Sequence, residues 1–585
     1  MLSNKQEKYR NTFHLLWQRG LSVRRKMKLI GMAEVLIITN LAATFTLAGC
    51  NSPAKSVVNE TLSYDDQMEQ AQSSPYGAYP DEITYTLGKL TGANNSNMPE
   101  GDTYENNAYT RYIKSTINVQ NKDMIEAMDT DYDTSVSMAI ATGNLPDIMV
   151  VSSYEDLSTL IQYDMIEDLT DSYDKCTTQK IKDMYASYGE SLIDAVTYDG
   201  KLMALPETNI TDGPNLVWLR KDWMDKLGLT APKTMQDVEE IVLQFMQNDP
   251  GNNGADNTVG LVCDTSLAGE CGYSSEYLLD LIFASFGAYP KQWIRDESGN
   301  VVYGSVTDQA KQALGHISSL YEQGIIDHDF LLRTAANIRE VIQNGQCGSF
   351  FGPWWAPNNP LQSAISNNKE ANWEPFLIAT DQEGNTTYHS QNPVYKYIVV
   401  RKGYEHPEIA AKIISIMFDK IRFECDNSEE FANYYQLNVD PTARPLAINV
   451  DYKDALKMCY HNIDTALTEG DVNLQLLERS YYDACKGYLA DPQNATPDLW
   501  AAYTSRIRAC AVMNSGKVKE VPSLFFGSTP TMRSDFWKLK EQENEAYLKI
   551  ICKEEELSYF DTFVKNWYEN GGDKITEEVS QICNK

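Results

Sequence analysis

The chain has 585 residues, too many for one hydrophobic core and enough for two or three domains. Hydrophobic residues make up 42% and charged residues 23%, the ordinary mix of a soluble globular protein. The formal charge of −32 gives a surface that repels nucleic acid and anionic lipid headgroups and disfavours long-range capture of acidic sugars, although a local arginine overrides that.

Residues 19–28 carry five Arg or Lys, and a mostly apolar run follows from Leu29 to Leu47. It ends in Leu47-Ala48-Gly49-Cys50. A positive segment, an apolar segment and small residues at a cut site are the order of an export signal. The four residues to Cys50 resemble the lipobox of bacterial lipoproteins. That resemblance implies that residues 1–49 are removed and that Cys50 carries a lipid. Glu34 and Asn40 interrupt the run and weigh against a stable transmembrane anchor. Met27 is an alternative start. The first 49 residues contribute +6, which leaves −38 on the rest.

Residues 50–81 are rich in Ser, Asn, Gln, Asp and Pro, with no apolar period. They read as a flexible tether with a reach of roughly 30 Å. Ile83-Thr84-Tyr85-Thr86-Leu87 alternates as a strand, a polar loop runs over 99–107, and 108–117 read as a helix. Asp147 to Val151 read as the next strand. Strands alternating with helices predict a parallel α/β sheet, with ligand beyond the carboxyl ends of its strands, in the loops that begin at Gly88 and Ser152. Leu202 to Pro206 and Leu216 to Arg220 follow as extended runs. A helix from Asp222, capped by Asp222 and stopped by Gly228, and one capped by Thr234 and running through Met246 come next. The last 140 residues are mostly helical by pattern. Among eleven Cys and six His no metal-ligand spacing occurs, and Cys263 and Cys271 are near enough in sequence to bridge without spacing deciding it.

From about Ile83 to Glu578 the chain resembles the extracellular solute-binding proteins for carbohydrates, in their large Gram-positive lipoprotein branch. The resemblance is carried by Ala141-Thr142-Gly143-Asn144-Leu145-Pro146-Asp147-Ile148, by Asp199-Gly200-Lys201-Leu202-Met203-Ala204-Leu205-Pro206 and by the stretch from Arg220 to Leu229. Gly352-Pro353-Trp354-Trp355, Val400 to Tyr404 and Phe526 to Met532 extend it in the same order. It implies a periplasmic-binding-protein-like type II fold, with two α/β lobes, a hinge, an interlobe cleft and a helix-rich C-terminal part. The expected lobes are 82–212 with 390–445, and 213–389 with 446–585. The implied partners are an oligosaccharide and the membrane permease of an ABC importer, with the protein a lipid-anchored monomer on the outer face of the cell membrane.

A sugar ring offers a C–H face to an aromatic plane and a hydroxyl rim to Asp, Glu, Asn and Arg. The resemblance makes Trp354 the stacking platform, with Trp355 beside it; the alternative is a core tryptophan in a turn. Ser152, Tyr154 and Glu155 follow a strand end and either reach the sugar or, as Ser and Asp do there, cap the next helix. Tyr104, Asn106 and Asn107 lie in the first strand's exit loop. Glu207, Arg444 and Trp537 complete the set, Arg444 with the alternative of bracing the hinge. Arg220 reads as structural, tied to Asp222. The 249–258 loop looks like the family's calcium-type loop. Its alternate positions are Asp249, Gly251, Asn253, Ala255 and Asn257, too few carboxylates for tight calcium, so a metal-free or weakly occupied turn and no cofactor are expected. Two rival readings remain, an extracellular glycoside hydrolase and a carbohydrate-binding surface adhesin. No hydrolase, esterase or zinc motif and no β-rich repeat supports either.

Overall fold

A computed structural model describes residues 62–92, 97–189, 191–254, 257–270, 276–423, 428–437, 439–470 and 473–584. Cys50 and the export signal lie outside the described residues. The strands include β1 (Ile83–Thr91), β2 (Val119–Met128), β3 (Ile148–Val151), β4 (Leu205–Pro206), β5 (Leu216–Arg220), β6 (Ser349–Gly352), β7 (Trp373–Phe376), β8 (Thr386–His389), β9 (Tyr397–Val400) and β10 (Val518–Val521), with β8 and β10 paired in parallel.

The first sheet runs β2-β1-β3-β9-β4. β1 pairs parallel with β2 and with β3, and β9 enters antiparallel beside β3 with Tyr397 opposite Val151. β3 and β9 are buried along their whole length, as their unbroken apolar sequences require of strands covered on both faces. Gly88 sits where β1 crosses Met149: a Cβ there would lie 2.7 Å from the Met149 Cβ, so only glycine permits this approach. The helix Ala108–Ile117 forms as expected. A second helix, Asp129–Thr142, has no clean apolar stripe to announce it, and its Tyr132 hydroxyl pins it by donating to the carbonyls of Gly88 and Val150.

The second sheet is antiparallel, in the order β6-β5-β7. β5 feeds two cores from its alternating faces. Val217 and Leu219 pack with Phe245, Phe351, Tyr547 and Trp567, while Leu216 and Trp218 pack with Phe350, Trp354, Trp373 and Trp500. The C-terminal helices divide accordingly. Those of 497–513 close one face, and those of 537–583 close the other. Thr234 caps Met235–Asn248 in a capping box with Asp237. Asp222 does not cap its helix, which starts at Lys221 without a side-chain cap; its carboxylate instead takes two donors from Arg220, at 2.7 and 2.6 Å. Arg220 is structural, as its position at a strand end suggested. Cys263 is a free, buried thiol, and Cys271 lies outside the described residues.

Two expected boundaries move. Leu446, Ile448 and Val450 belong to the first core, so the chain leaves that lobe after 450 rather than at 445. Residues 62–81 are not a tether. Ser63 caps the helix Tyr64–Gln72, and Ala71 and Tyr79 are buried in the first core. The buried Lys412 ammonium donates to the carbonyls of Ala71, Ser74 and Gly77 at 2.6, 2.8 and 2.8 Å. The Cys176 thiol donates to Gln72, and the Tyr79 hydroxyl to Glu408 at 2.6 Å. A polar composition hid this, because a short helix held through its backbone carbonyls needs little apolar surface.

Candidate functional site

Three chain segments cross between the lobes, and they hydrogen-bond to one another. Glu207 N–H donates to Lys396, Thr208 to Asn449, Asn209 to Pro393 and Thr211 to Lys453, all at 2.8–2.9 Å. Side chains tighten the crossing. The Thr208 hydroxyl exchanges bonds with the Asp451 backbone, and the Asn209 amide donates to Asn392. Short extended segments tied mainly through their backbone suit a hinge, since a few φ/ψ angles can absorb a lobe rotation. Away from the hinge the lobes meet where the Ser528 hydroxyl donates to Glu155 at 3.2 Å, an exposed contact.

The second lobe reaches the hinge through Asp212-Gly213-Pro214-Asn215, which leads into β5. Gly213 holds φ +75 there, in the region that favours glycine. Asp212 is 4% exposed. Its Oδ1 accepts the Trp354 indole N–H at 2.9 Å, and its own N–H donates to Gln391. Burial pushes its carboxyl up to about 6, against the pull of the Trp354 and Gln391 donors and the Arg506 charge. Asp212 lines a cavity of about 260 Å³ with Thr211, Tyr388, Asn514, Leu456 and Met513, and the exposed Asp454 and Lys457 line it too. Across Gly213–Asn215 a smaller cavity is lined by Asp280, Tyr289, His389 and Gln391. Asp280 accepts the Gly269 N–H at 3.1 Å and lies 3.8 Å from His389, and burial raises its pKa.

The predicted site residues divide. Tyr154 stands at the β3 exit, its ring 6.4 Å from Tyr397 and its hydroxyl accepting from Tyr198 at 2.7 Å. Glu155 makes the interlobe contact. Ser152 is half-buried, and its neighbour Ser153 caps the helix Tyr154–Gln162. Glu207 lies in the hinge, 3.8 Å from Lys396, with its pKa raised by burial.

Trp354 does reach the hinge, but it is no open platform. It is 4% exposed, and the Arg506 guanidinium lies 4.5 Å from its ring centre. Trp355 is half-buried with a buried N–H that finds no partner among the described residues. Asn107 caps Ala108–Ile117; its oxygen accepts twice and its amide donates to three carbonyls, which leaves nothing for a ligand. Tyr104 is buried, with Lys89 over its ring. Asn106 is exposed and bonded to Arg111. Arg444 packs over Phe418 and donates to Ile448, bracing the first lobe. Trp537 opens a surface helix at 56% exposure, beside Lys538.

In the 249–258 loop Asp249 accepts from the Asn253 and Gly254 N–H groups and the Thr258 hydroxyl, each at 2.8 Å. These donors hold its pKa below the usual range. Asn253 and Asn257 spend their amides on closing the same turn. Among the described residues no three His, Cys, Asp or Glu gather around a metal-sized space, and no helix is long and apolar enough to cross a membrane.

Asp212, Asp280, His389 and Arg506 were not foreseen. The only local signal was Asp-Gly-Pro between extended runs. The contacts that define the site span 142 residues for Asp212–Trp354, beyond any local pattern.

Residues 61–423 match the family of bacterial extracellular solute-binding proteins. The chain belongs to that family. Within it, a polygalacturonan/rhamnogalacturonan-binding protein of Bacillus subtilis is 22% identical over 470 residues, covering 78% of this chain and 84% of the relative. A solved solute-binding protein from Bifidobacterium longum infantis, described as HMO-binding and ABC-transporter-associated, superposes with a TM-score of 0.58 at 13% identity. The match covers 86% of this chain and 99% of that one. The ABC-transporter substrate-binding protein FusA of Streptococcus pneumoniae, solved with kestose, gives 0.56 at 15% identity, with the same coverage. The solute-binding protein therefore has the periplasmic-binding-protein-like type II fold, mixed α/β and helix-rich.

Proposed function

We propose that this solute-binding protein captures an oligosaccharide at its hinge and passes it unaltered to the permease of an ABC importer. One observation carries the reading. Buried carboxylates, tyrosines and amides gather at the hinge, where a bound molecule touches the segments whose rotation closes the lobes. A ligand that bonds both lobes binds the closed state better and so shifts the population toward it. The permease then reads closure rather than the sugar. The relatives' ligands, polygalacturonan/rhamnogalacturonan for one and kestose for another, are carbohydrates, which fits a hinge rich in hydroxyl acceptors.

The protein works as a monomer on the outer face of the membrane, held by a lipid on Cys50. Calcium is not required, because three internal donors already satisfy Asp249. A hydrolase needs two carboxylates set about a glycosidic bond at ~5–10 Å with one kept acidic; the binder reading asks only that they accept hydrogen bonds. Incubation with oligosaccharides, followed by thermal unfolding and reducing-end assay, separates the two. Fractionation of Cys50→Ala tests the anchor: release from the membrane, or an unprocessed chain, is expected, and normal lipid labelling would refute it.

A further inference from the structure

We propose that the cavity of about 260 Å³ beside the hinge holds one sugar ring, and that Asp454, Lys457 and Tyr388 are the side chains that bond its hydroxyls. The inference rests on the saccharide reading above. All three residues line the cavity, and so does Thr211. Asp454 and Lys457 are exposed, so the cavity is open to solvent beside them.

Neither charged group has a hydrogen-bond or ion-pair partner among the described residues, and no ion pair joins the two. Asp454 immediately precedes the helix Ala455–Glu469, a place where an aspartate ordinarily turns its carboxylate onto the first amides. Here it takes no N–H from that helix, so its oxygens stay available to a donor from outside. Tyr388 is half-buried in β8, and its hydroxyl bonds to no described residue. Burial pushes its pKa up, so the hydroxyl keeps its proton and both donates and accepts.

A carboxylate only accepts and an ammonium only donates, while a sugar hydroxyl does both. A ring whose hydroxyls face Asp454 and Lys457 gives the one its donor and the other its acceptor. Both bonds are charge-assisted, the stronger class. The volume lies just below the ~300–1,000 Å³ of small-molecule sites and suits one ring rather than a chain.

The place of the cavity ties binding to closure. Asp454 follows Lys453, whose carbonyl accepts the Thr211 N–H at 2.9 Å. Tyr388 lies shortly before Gln391, whose side chain accepts the Asp212 N–H at 3.0 Å. A ring held by Thr211, Tyr388 and Asp454 therefore touches residues in or beside all three crossing segments.

The test is calorimetric titration of the full-length protein with kestose, maltotriose, xylotriose and trigalacturonate, repeated on variants with the tightest-binding probe. Asp454→Ala and Lys457→Ala are each expected to weaken it about tenfold or more, and Tyr388→Phe about fivefold, as suits charged and neutral hydrogen bonds. The ligand-free charge variants should unfold at the parent's temperature, since neither side chain has a protein partner to lose. A clear fall in that temperature would show that the two groups serve the fold instead. Parent-like affinity in both charge variants would overturn the assignment and leave saccharide capture standing. Failure of every probe to bind the parent would count against the assignment and the saccharide reading together.

Discussion

Glu543 offers a stability test with a calculable sign. It lies in the helix Trp537–Ile551, 2% exposed, with Oε1 accepting the Ser305 hydroxyl at 2.7 Å and Oε2 buried. Burial pushes its carboxyl from 4.5 up to about 7, opposed by the Lys291 charge and by its hydrogen-bonding neighbours. The folded state therefore holds a proton that the unfolded chain has released. The group costs nothing well below pH 4.5; its cost grows between about pH 4.5 and 7 and levels off above that. At about 1.4 kcal/mol per tenfold in proton affinity, ionising it in place costs about 3 kcal/mol. In Glu543→Gln the amide oxygen can still accept from Ser305, and the amide N–H can donate to the buried Tyr303 hydroxyl. Urea unfolding of both proteins at pH 5 and pH 8 measures the effect. The variant should differ little at pH 5 and be about 2–3 kcal/mol more stable at pH 8. A difference that is the same at both pH values would refute the reasoning.

Trp354→Ala should lower the stability of the ligand-free protein by about 3–5 kcal/mol, since it empties a core site and strips Asp212 of its indole donor. An unchanged unfolding temperature would restore the tryptophan as an exposed platform. Lys412→Met should cost about 2–4 kcal/mol by leaving three carbonyls without their charged donor. Hydrogen exchange should then show residues 64–79 losing protection, and retained protection would show that the clamp is dispensable. Glu155→Ala should change unfolding stability by less than about 1 kcal/mol, because its bond to Ser528 is exposed; a larger loss would mean that the lobes are latched there. Millimolar calcium should not shift the unfolding temperature relative to chelator, and a clear rise would assign the 249–258 loop a cation.

Much of the architecture was legible because it is written in local chemistry. β3 and β9 are short apolar runs, Thr234 sits three residues before Asp237, and Gly228 ends its helix. Asp129–Thr142 was not legible, for it lacks an apolar stripe and is held by Tyr132 to strands on either side of it in sequence. Asn107 shows how a residue type misleads. An asparagine in a strand's exit loop suits a sugar hydroxyl and a helix N-terminus equally, and only the distant Ala443 carbonyl decides between them. The Trp354 motif suggested a stacking platform or a core tryptophan in a turn, and the residue lies buried just after β6. Its burial depends on Arg506 and Asp212, which lie about 140–150 residues away on either side.

Hinged capture without chemistry is tested most directly by one paired measurement on the intact protein: thermal unfolding with a bound oligosaccharide, followed by analysis of that sugar. At a hundredfold excess over Kd the folded state should gain about 2.7 kcal/mol, and the sugar should be recovered at its original length. Shortened sugar, or no stabilisation by any oligosaccharide, would contradict it.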